Sequence, residues 1–465
     1  MPTYRHTIAF PRRCVAEWFS RPGAVTRLTP GLLPMSPKSE SANLADGTTV
    51  FSMPAGLKWI ARHDPAGFLP GQRFIDEVTS EPFRRITGWK HTHVLSDTPL
   101  DDGSAGTVLE DTVDTKVPVP GLDSMFAYRA TKVAGDLAAV DRLSEYLGHV
   151  PEPLTVAISG ATGTVGTQLR ALLTTAGHEV ILLVRSREQT GVDKRYWDTA
   201  APAADLLEGV DAVIHLAGAP IAGRFTEAHL RKVRHSRVEP TRALAKLVAS
   251  TDSVKVAVGA SAVGFYGADR GPEVLTEDAG PGAEAQRYDG SAAADSLSAI
   301  VRDWENAWDP ARDAGKRVVN VRTGLVLAGG GGLLPLLAGV VFTGLGGRLG
   351  SGEQWFPWIA LDDLLDIYHR SLADSGLAGP VNAVVPLAFG VNNAEFTRVL
   401  GEVLHRPTAV PIPSLGPAVL LGKRGAAELA LANQRVEAAA LQKAGHRFRF
   451  TSLNDALRHE LLMER

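Results

Sequence analysis

The chain has 465 residues, 45% of them hydrophobic, with 48 basic and 51 acidic side chains and a formal net charge of −3. This balance excludes the basic excess that nucleic-acid-binding proteins usually carry, and the single cysteine, Cys14, excludes a disulfide framework or a cysteine-based metal site. The length predicts about three domains or subdomains and a core large enough to fold without such cross-links.

The first 148 residues predict an α+β layout. Segments rich in Val, Ile, Thr, Phe and Trp, bounded by Gly, Pro or Asp, predict antiparallel strands at 48–53, 73–79, 86–95 and 107–117. An amphipathic pattern from Phe126 to Leu147 predicts one long helix packed on this sheet. Two prolines within residues 149–153 then predict an extended linker.

Apolar strands alternate with helices over residues 154–330, which predicts an α/β, doubly wound parallel sheet. The predicted strands are 154–159, 179–184, 211–216, 254–259 and 317–326, and the predicted helices are 164–176, 226–250 and a segment near 292–309. Residues 331–465 predict a smaller C-terminal subdomain on the substrate side, partly interleaved with the sheet. Its helices are expected near 361–373, 392–405 and 425–444.

Export and membrane insertion are not expected. The N-terminus has no apolar segment of a secretory signal, so the expected compartment is the cytoplasm. Residues 323–347 are uncharged and long enough to cross a bilayer. Nine glycines and Pro335 make this stretch a poor helix, so we predict a buried loop with a short helix and no membrane span.

A glycine-rich loop follows the first strand of this second part. Glycines at this spacing allow a tight turn, close approach of the backbone to a diphosphate, and close packing of the helix on the strand. The free N–H groups and dipole of the following helix favour an anion there. We therefore predict a Rossmann-type dinucleotide site, the alternative being a tight turn without a ligand. The residues assigned to this loop are Gly160, Thr162, Gly163, Thr164, Val165 and Gly166.

The end of the next strand indicates which dinucleotide binds. A site for NAD(H) usually has Asp or Glu here to bind the ribose hydroxyl, whereas this chain has Arg185, Ser186 and Arg187. Guanidinium groups suit a 2′-phosphate, so we predict NADP(H), the alternative being a solvated basic turn. The small turn of Leu216, Ala217 and Gly218 after the third strand lets the backbone approach the cofactor, and Arg224 is also assigned to the cofactor site.

The order of these motifs resembles the extended short-chain dehydrogenase/reductase superfamily, and within it the "epimerase family" subgroup whose members are often described as sugar-nucleotide epimerases. The resemblance covers residues 154–465. It rests on the glycine loop, the Leu-Ala-Gly turn, Ser-Ala-Val-Gly-Phe-Tyr-Gly at 261–267, Arg322-Thr-Gly-Leu-Val-Leu and Trp358-Ile-Ala-Leu-Asp-Asp. The last fifty or so residues resemble a small C-terminal module of unknown role in that subgroup.

Residues 1–148 resemble a different family, the START-like or SRPBCC helix-grip fold. The resemblance rests on Arg73-Phe-Ile-Asp-Glu-Val, Glu81-Pro-Phe-Arg-Arg and Tyr128-Arg-Ala-Thr-Lys. It implies a curved sheet wrapped around a long helix and an apolar cavity that binds a hydrophobic small molecule.

The superfamily resemblance implies catalysis by Ser, Tyr and Lys, with Tyr and Lys four residues apart on one helix face. The only Tyr-x-x-x-Lys match is Tyr128–Lys132, which precedes the glycine loop and is better explained as part of the first domain's helix. Counting back from Trp304-Glu305 places Asp295 and Ala299 at the Tyr and Lys positions. The cofactor half of the enzyme is therefore expected to be intact and the proton-transfer half altered.

Ser261 is the predicted hydrogen-bond donor to a substrate oxygen. Tyr266 is the predicted proton donor, with packing near the nicotinamide as the alternative. Arg322 is interpreted as structural rather than cofactor-facing. Asp362 and Asp363 are interpreted as a helix cap and an ion-pair partner, and Ala360 stands where the subgroup often has His.

We predict no metal site, because the thirteen histidines show no metal-ligand spacing. His91 and His93 lie two apart on a predicted strand and are interpreted as partly buried strand residues. Trp355 and Trp358 are interpreted as buried packing rather than as the lining of a substrate pocket.

These observations predict an NADP(H)-dependent oxidoreductase or nucleotide-sugar epimerase-like enzyme that transfers a hydride to or from a carbonyl or carbinol carbon. The alternatives are an NADP(H)-binding sensor or scaffold with little turnover, motivated by the missing Tyr–Lys pair, and a carrier of hydrophobic ligands. The expected partners are a small-molecule substrate and a hydrophobic ligand of the N-terminal domain, without nucleic acid. A homodimer is left open.

Overall fold

Two seven-stranded sheets organise the protein. The computed structural model describes residues 1–282 and 297–464. The strands of the first sheet come from the first 114 residues and run antiparallel, whereas those of the second come from residues 155–383 and run parallel. This difference separates the two parts of the chain on either side of residues 149–153, which form neither helix nor strand.

The first sheet pairs its strands in the order β1-β7-β6-β5-β4-β3-β2. Its strands are β1 (Thr3–Ile8), β2 (Ser36–Ser39), β3 (Thr48–Ser52), β4 (Lys58–His63), β5 (Arg73–Val78), β6 (Lys90–Pro99) and β7 (Ala105–Asp114). The helices of this part are α1 (Arg12–Ser20), α2 (Ala24–Leu28), α3 (Phe83–Ile86) and α4 (Leu122–Leu147). Helix α4 packs on the sheet through buried residues such as Phe126 and Val133. It lies between Gly121 and Gly148, both in the left-handed conformation that glycine adopts without steric cost.

This layout confirms the predicted sheet and long helix. The predicted strand at 86–95 was placed too early, because 83–86 form a helical turn and the strand starts at Lys90. Strands β1, β2 and β4 were not predicted. Strands β1 and β2 are the two edges of the sheet and are largely polar, so they lack the apolar alternation by which strands are recognised.

The remainder of the chain contains thirteen described strands. They are β8 (Thr155–Ser159), β9 (Glu179–Val184), β10 (Lys194–Tyr196), β11 (Ala212–His215), β12 (Val256–Ala262), β13 (Asp269–Leu275), β14 (Arg317–Thr323), β15 (Leu325–Leu327), β16 (Trp355–Phe356), β17 (Trp358–Ala360), β18 (Gly379–Ala383), β19 (Val391–Asn392) and β20 (Asn433–Val436). The α-helices described here are α5 (Thr164–Thr175), α6 (Glu227–His235), α7 (Val238–Ser250), α8 (Leu297–Asn306), α9 (Asp309–Asp313), α10 (Leu334–Phe342), α11 (Leu361–Ala373), α12 (Asn393–Leu404), α13 (Gly416–Gly425), α14 (Ala439–Lys443) and α15 (Leu453–Glu460).

The second sheet has the strand order β10-β9-β8-β11-β12-β14-β18, with every neighbouring pair parallel. The order reverses beside β8, as in a doubly wound Rossmann-like sheet. Apolar clusters cover both faces, which explains why the strands are continuous apolar runs. Strand β18 comes from the C-terminal part of the chain and forms one edge of this sheet.

Two predicted helices differ from the structure. The helix expected over 226–250 is broken at Ser236–Arg237 into α6 and α7. The helix expected over 425–444 is wrong: a π-helical turn (Ala426–Ala430), strand β20 and the short helix α14 occupy that segment. The sequence pattern there is helical, but residues 433–436 pair with β13 instead, so a tertiary contact overrides the local preference.

The first part of the chain is docked on the second by buried charges. A β-carbon on Gly23 would lie 2.6 Å from the carbonyl oxygen of Ala171, so the entry to α2 approaches α5 at backbone distance. Beside this contact, five side chains from four distant segments meet in what we call the interdomain charge cluster. Its members are Arg27, Lys132, Asp136, Asp362 and Arg449.

Within this cluster Arg27 bonds to Asp136 at 2.6 Å and to Asp362 at 2.8 Å. The Nζ of Lys132 lies 2.6 Å from Asp362, so the lysine of the Tyr128–Lys132 match binds a carboxylate between domains, as a structural residue of α4.

No helix in the described ranges has both the length and the apolar character that crossing a bilayer requires.

Candidate active site

The glycine loop connects β8 to α5 at the carboxyl edge of the parallel sheet. Gly160 has φ of +74°, and a β-carbon there would lie 2.8 Å from the backbone nitrogen of Ala217. A β-carbon on Gly166 would collide with the carbonyl oxygen of Gly160. These two glycines are therefore required by the turn and by the packing of the helix on the strand.

Gly163 differs from the other two glycines of the loop. The nearest protein atom to a β-carbon built there is the carbonyl oxygen of Gly160, at 3.5 Å. Gly163 precedes α5, which has no side-chain cap, so the first N–H groups of the helix are free for a ligand. A glycine that packing does not require, placed before an uncapped helix, fits the close approach of a diphosphate.

The side chains around this loop are accessible. Thr162 and Thr164 are exposed, and Val165 is partly buried. A β-carbon on Gly331 would collide with the hydroxyl of Thr164, so the glycine run at 329–332 lies over the start of α5.

The residues after β9 and β11 lie beside the loop, because both strands flank β8. Arg185 is exposed at the end of β9. Ser186 caps the short 3₁₀ turn Arg187–Gln189 by accepting from Glu188 N–H at 3.3 Å. On the other side, Leu216 and Ala217 contact the backbone around Gly160. The topology thus gathers the predicted cofactor residues of these strands at one edge.

Arg224 has a different setting from the other predicted cofactor residues. It is exposed and donates to the carbonyl oxygen of Val419 at 3.1 Å, while Phe225 N–H donates to the carbonyl oxygen of Leu421 at 2.8 Å. These bonds connect the segment before α6 to α13.

Arg237 is a buried cation beside the Leu216–Gly218 turn that the cofactor prediction did not include. Its guanidinium lies so close to Gly218 that a β-carbon there would be 2.7 Å from Cζ, and it donates to the carbonyl oxygen of Ala219 at 2.8 Å. Burial lowers the pKa of Arg237 to about 10. It has no carboxylate partner in the described part of the chain. Its burial is offset by a second backbone acceptor, the carbonyl oxygen of Val233, and by the ring of Trp304, whose centroid lies 4.9 Å from Cζ.

Ser261 belongs to a row of polar residues across three strands. Ser261 on β12 lies opposite Arg322 on β14, which in turn lies opposite Asn382 on β18. Glu305 on α8 and Tyr266 after β12 complete this group. We call these five residues the carboxyl-edge cluster.

The side chain of Ser261 bonds to groups in the protein interior. Its Oγ donates to Glu305 Oε1 at 2.5 Å. Arg322 binds the same carboxylate through two bonds, from Nε to Oε1 at 2.9 Å and from Nη2 to Oε2 at 2.8 Å. All three side chains are buried, so the orientation of the serine hydroxyl is fixed by a carboxylate that is itself held by a bidentate arginine.

Tyr266 is completely buried. Its hydroxyl donates to Asn382 Oδ1 at 2.7 Å and lies 3.0 Å from the carbonyl oxygen of Thr276, and it accepts from Arg322 Nη1 at 3.0 Å. Burial raises the pKa of Tyr266 to about 12. Arg322 thus connects the two predicted catalytic residues, which agrees with its predicted structural role.

The helix expected to carry the Tyr–Lys pair is described from Leu297. Tyr288 and Asp295 lie outside the described residues, and Ala299 is buried. Toward Gly264, α8 presents apolar side chains: a β-carbon on that glycine would lie 3.0 Å from Leu297 and 4.0 Å from Val301. Glu305 was not predicted as a site residue. The Trp304-Glu305 pair, from which the Tyr and Lys positions were located, is the sequence signal that could have identified it.

Asp362 and Asp363 are not helix caps. Helix α11 starts after Ala360 without a side-chain cap, and both aspartates lie in its first turn. Asp362 is the ion-pair partner that was predicted. Asp363 accepts backbone N–H groups of Arg449 and Phe450, and burial raises its pKa to about 8.

Comparison with known proteins places this chain in a family. The model of the "NAD dependent epimerase/dehydratase family" matches residues 156–384. An epimerase family protein of Mycobacterium tuberculosis is 37% identical over 305 residues, which cover 65% of this chain and 96% of that protein. The chain belongs to this epimerase family. Residues 412–460 also match a "Domain of unknown function (DUF1731)", in agreement with the resemblance of the last fifty or so residues to a C-terminal module of unknown role.

Two solved structures are similar. One is described as the nucleoside-diphosphate sugar epimerase from Corynebacterium glutamicum; it is 45% identical, covers 100% of this chain and 91% of that chain, and has a TM-score of 0.84. The likeness therefore includes both sheets. The other is human epimerase family protein SDR39U1 with NADPH, 32% identical over 66% of this chain and 98% of that chain, with a TM-score of 0.58.

Proposed function

We propose that this protein is an NADP(H)-dependent oxidoreductase of the nucleotide-sugar epimerase type. The observation that carries the proposal is the contrast among the three loop glycines, because Gly160 and Gly166 are needed by packing whereas Gly163 opens toward the helix N-terminus. The human relative solved with NADPH supports the choice of cofactor.

Each part of the predicted site has a separate task. The backbone at Gly163 and the free N–H groups of α5 would hold the diphosphate. Arg185, exposed at the end of β9, would bind the 2′-phosphate through charge-assisted hydrogen bonds, with Ser186 beside it. The turn at Ala217 would contact the cofactor through its backbone. When bound, NADP(H) supplies or accepts the hydride.

We propose that Ser261 binds the reacting oxygen and that Glu305 receives its proton. In the oxidation of a carbinol, the substrate O–H proton would pass to Ser261 Oγ as the serine proton moves to Glu305, 2.5 Å away, while the hydride leaves the carbon for the cofactor. Reduction runs the same transfers in reverse. This pair would take over part of the work of the absent Tyr–Lys pair.

Tyr266 is the second proposed proton donor. To serve, its hydroxyl would have to give up its bonds to Asn382 and Arg322, and the raised pKa of about 12 holds its proton at neutral pH. Ser261 is therefore the first candidate.

A fluorescence titration of the full chain with NADPH and NADH tests the cofactor proposal. We expect tighter binding of NADPH, and a loss of at least about tenfold in NADPH affinity for Arg185→Ala, since a charge-assisted bond contributes about 1.5–3 kcal/mol. NADH affinity should not change. Arg398→Ala, on an exposed surface of α12, is the matched control. Absence of binding, or an unchanged preference in Arg185→Ala, would contradict the proposal.

Turnover tests the catalytic proposal. With NADPH and a panel of aldehydes, ketones and nucleoside-diphosphate sugars, Ser261→Ala should lower kcat by about 10²–10⁴-fold without weakening NADPH binding. A loss of this size in Tyr266→Phe and none in Ser261→Ala would reverse the assignment.

The sensor or scaffold is the second candidate function. It is favoured by the burial and internal bonding of both hydroxyls and by the apolar face that α8 presents to Gly264. Tight NADPH binding without turnover of any carbonyl class would select it.

We infer that residues 1–148 form a helix-grip domain of the START-like kind. The antiparallel seven-stranded sheet and the 26-residue helix α4 support this assignment. Aromatic and histidine rings occupy the space between the sheet and α4: the ring centroids of His93 and Phe74 are 4.0 Å apart, and those of His91 and Phe126 are 5.1 Å apart. Because these rings take up the interior, we expect a small polar ligand rather than the hydrophobic one that the resemblance implied.

A further inference from the structure

One buried and one partly buried carboxylate meet two histidines on one face of the first sheet. His91 on β6 lies opposite Asp76 on β5, and His93, two residues further on β6, lies opposite Asp111 on β7. Residues two apart on a strand share a face, so this register gathers all four side chains on one face. We call them the histidine–aspartate cluster.

Asp111 contacts both imidazole rings and is hydrogen-bonded to that of His91. Its Oδ1 lies 2.8 Å from His91 Nε2, in a hydrogen bond, and 2.9 Å from His93 Nδ1. A neutral imidazole has one N–H, and a ring that directs its N–H at Asp111 presents its other nitrogen as a lone pair. A carboxylate behind each ligating histidine is the usual outer shell of a protein metal site.

The remaining nitrogens converge on Asp76. Its Oδ2 lies 3.5 Å from His91 Nδ1 and 3.3 Å from His93 Nε2. A tetrahedral ion with ligand bonds of 2.0–2.1 Å separates its ligand atoms by about 3.4 Å. Both separations are close to this value. The 3.3 Å contact between His93 Nε2 and Asp76 is also a hydrogen bond, longer than the usual N–H···O distance of about 2.9–3.0 Å.

The charges of the two aspartates also favour a bound cation. Asp76 and Asp111 have no Lys or Arg ion-pair partner among the described residues, and Asp111 Oδ2 is buried without a hydrogen-bond partner there. A divalent cation would balance the two carboxylates.

We propose that Asp76, His91 and His93 bind a divalent transition-metal ion, for which Zn²⁺ is the best fit, with Asp111 as the outer-shell partner of both histidines. Imidazole and carboxylate ligands in a tetrahedral arrangement suit Zn²⁺. Three protein ligands leave a fourth position for water or a small anion. Asp76, whose side chain is 19% exposed, provides the route by which an ion enters.

Metal binding by the full chain tests the proposal directly. After treatment with a chelator, the protein is titrated with Co²⁺ alone, and the visible bands of tetrahedral Co²⁺ are recorded. We expect one Co²⁺ per chain, displaced by one Zn²⁺. The proposal does not depend on NADP(H), so NADPH affinity measured in parallel should be the same with and without Zn²⁺.

Variants locate the ion. Asp76→Asn should weaken Zn²⁺ binding by at least about tenfold, and Asp111→Asn by about 10–100-fold, as for outer-shell partners. His235→Gln is the control, because that side chain is 82% exposed. Should a variant unfold, the wild-type chain still decides, since Zn²⁺ should raise its Tm. Failure of the wild-type chain to bind Co²⁺ or Zn²⁺ stoichiometrically, or binding unchanged in folded Asp76→Asn, would overturn the proposal.

Discussion

The interdomain charge cluster and the carboxyl-edge cluster are both buried, and both contain an arginine bonded to a carboxylate, yet they occupy different places in the fold. In the first, Arg27, Asp136 and Asp362 come from segments more than 100 residues apart. In the second, Ser261 and Arg322 lie on neighbouring strands at the edge where the glycine loop also lies. Burial and pairing alone do not identify a catalytic group; its position relative to the ligand-binding edge of the sheet does.

The two clusters also differ in their chemistry. The interdomain charge cluster contains three cations and two carboxylates, and none of its five members has a hydroxyl to exchange a proton. The carboxyl-edge cluster adds the hydroxyls of Ser261 and Tyr266 to an ion pair. We therefore expect substitutions in the first to change stability, and substitutions in the second to change turnover as well.

The largest expected effect is that of Arg27→Ala. It leaves Asp136 and Asp362 partly uncompensated in the interior, which typically costs about 3–5 kcal/mol. Urea unfolding of the full chain should show this loss. Arg398→Ala, an exposed ion-pair residue, should change the free energy of unfolding by less than about 1 kcal/mol. Equal effects of the two variants would contradict the view that the cluster holds the domains together.

The second prediction concerns two histidines beside the interdomain charge cluster. Leu154 N–H donates to His178 Nδ1 at 3.0 Å, so the single proton of neutral His178 is on Nε2 and faces His369 Nε2 at 2.9 Å. Burial lowers the pKa of His178 to about 3 and that of His369 to about 4. Between these values and about 6.5, the unfolded chain binds protons that the folded chain does not.

The stability contributed by these neutral histidines is therefore complete above pH 6.5 and falls as the pH falls. At pH 5 each histidine should cost about 2 kcal/mol relative to pH 7.5. Urea unfolding at both pH values measures this loss. Between pH 7.5 and pH 5, the double variant His178→Gln/His369→Gln should lose about 4 kcal/mol less stability than the wild type. The control His235→Gln should lose as much as the wild type. An unchanged pH slope in the double variant would mean that other groups dominate.

The smallest expected effect is that of Tyr266→Phe. The change leaves Asn382 and Arg322 each without one partner, which should lower the free energy of unfolding by about 1–3 kcal/mol. Tyr4→Phe, on an edge strand, is the control. A large loss of kcat with unchanged stability would assign Tyr266 to the chemistry and remove the distinction drawn here between Ser261 and Tyr266.

The sequence alone determined the features that neighbouring residues encode. Turn chemistry and periodicity predicted the glycine loop and the long helix α4. They also predicted an antiparallel pattern in the first part of the chain, an alternating strand–helix pattern in the second, and the linker between these two parts. The Arg185 position was also predictable, because the end of the second strand has a fixed place relative to the loop. Polar edge strands such as β2 were not predicted, because their alternation of apolar and polar residues is weak.

Only the tertiary structure decided which buried polar groups meet. Ser261 bonds to Glu305 across 44 residues of sequence, and Lys132 to Asp362 across 230. His91 and His93 were visible as a strand pair, but Asp76 and Asp111 join them through the register of two other strands. Such partners depend on sheet order, register and domain docking. These are set by the packing of the whole chain, and local pattern does not encode them.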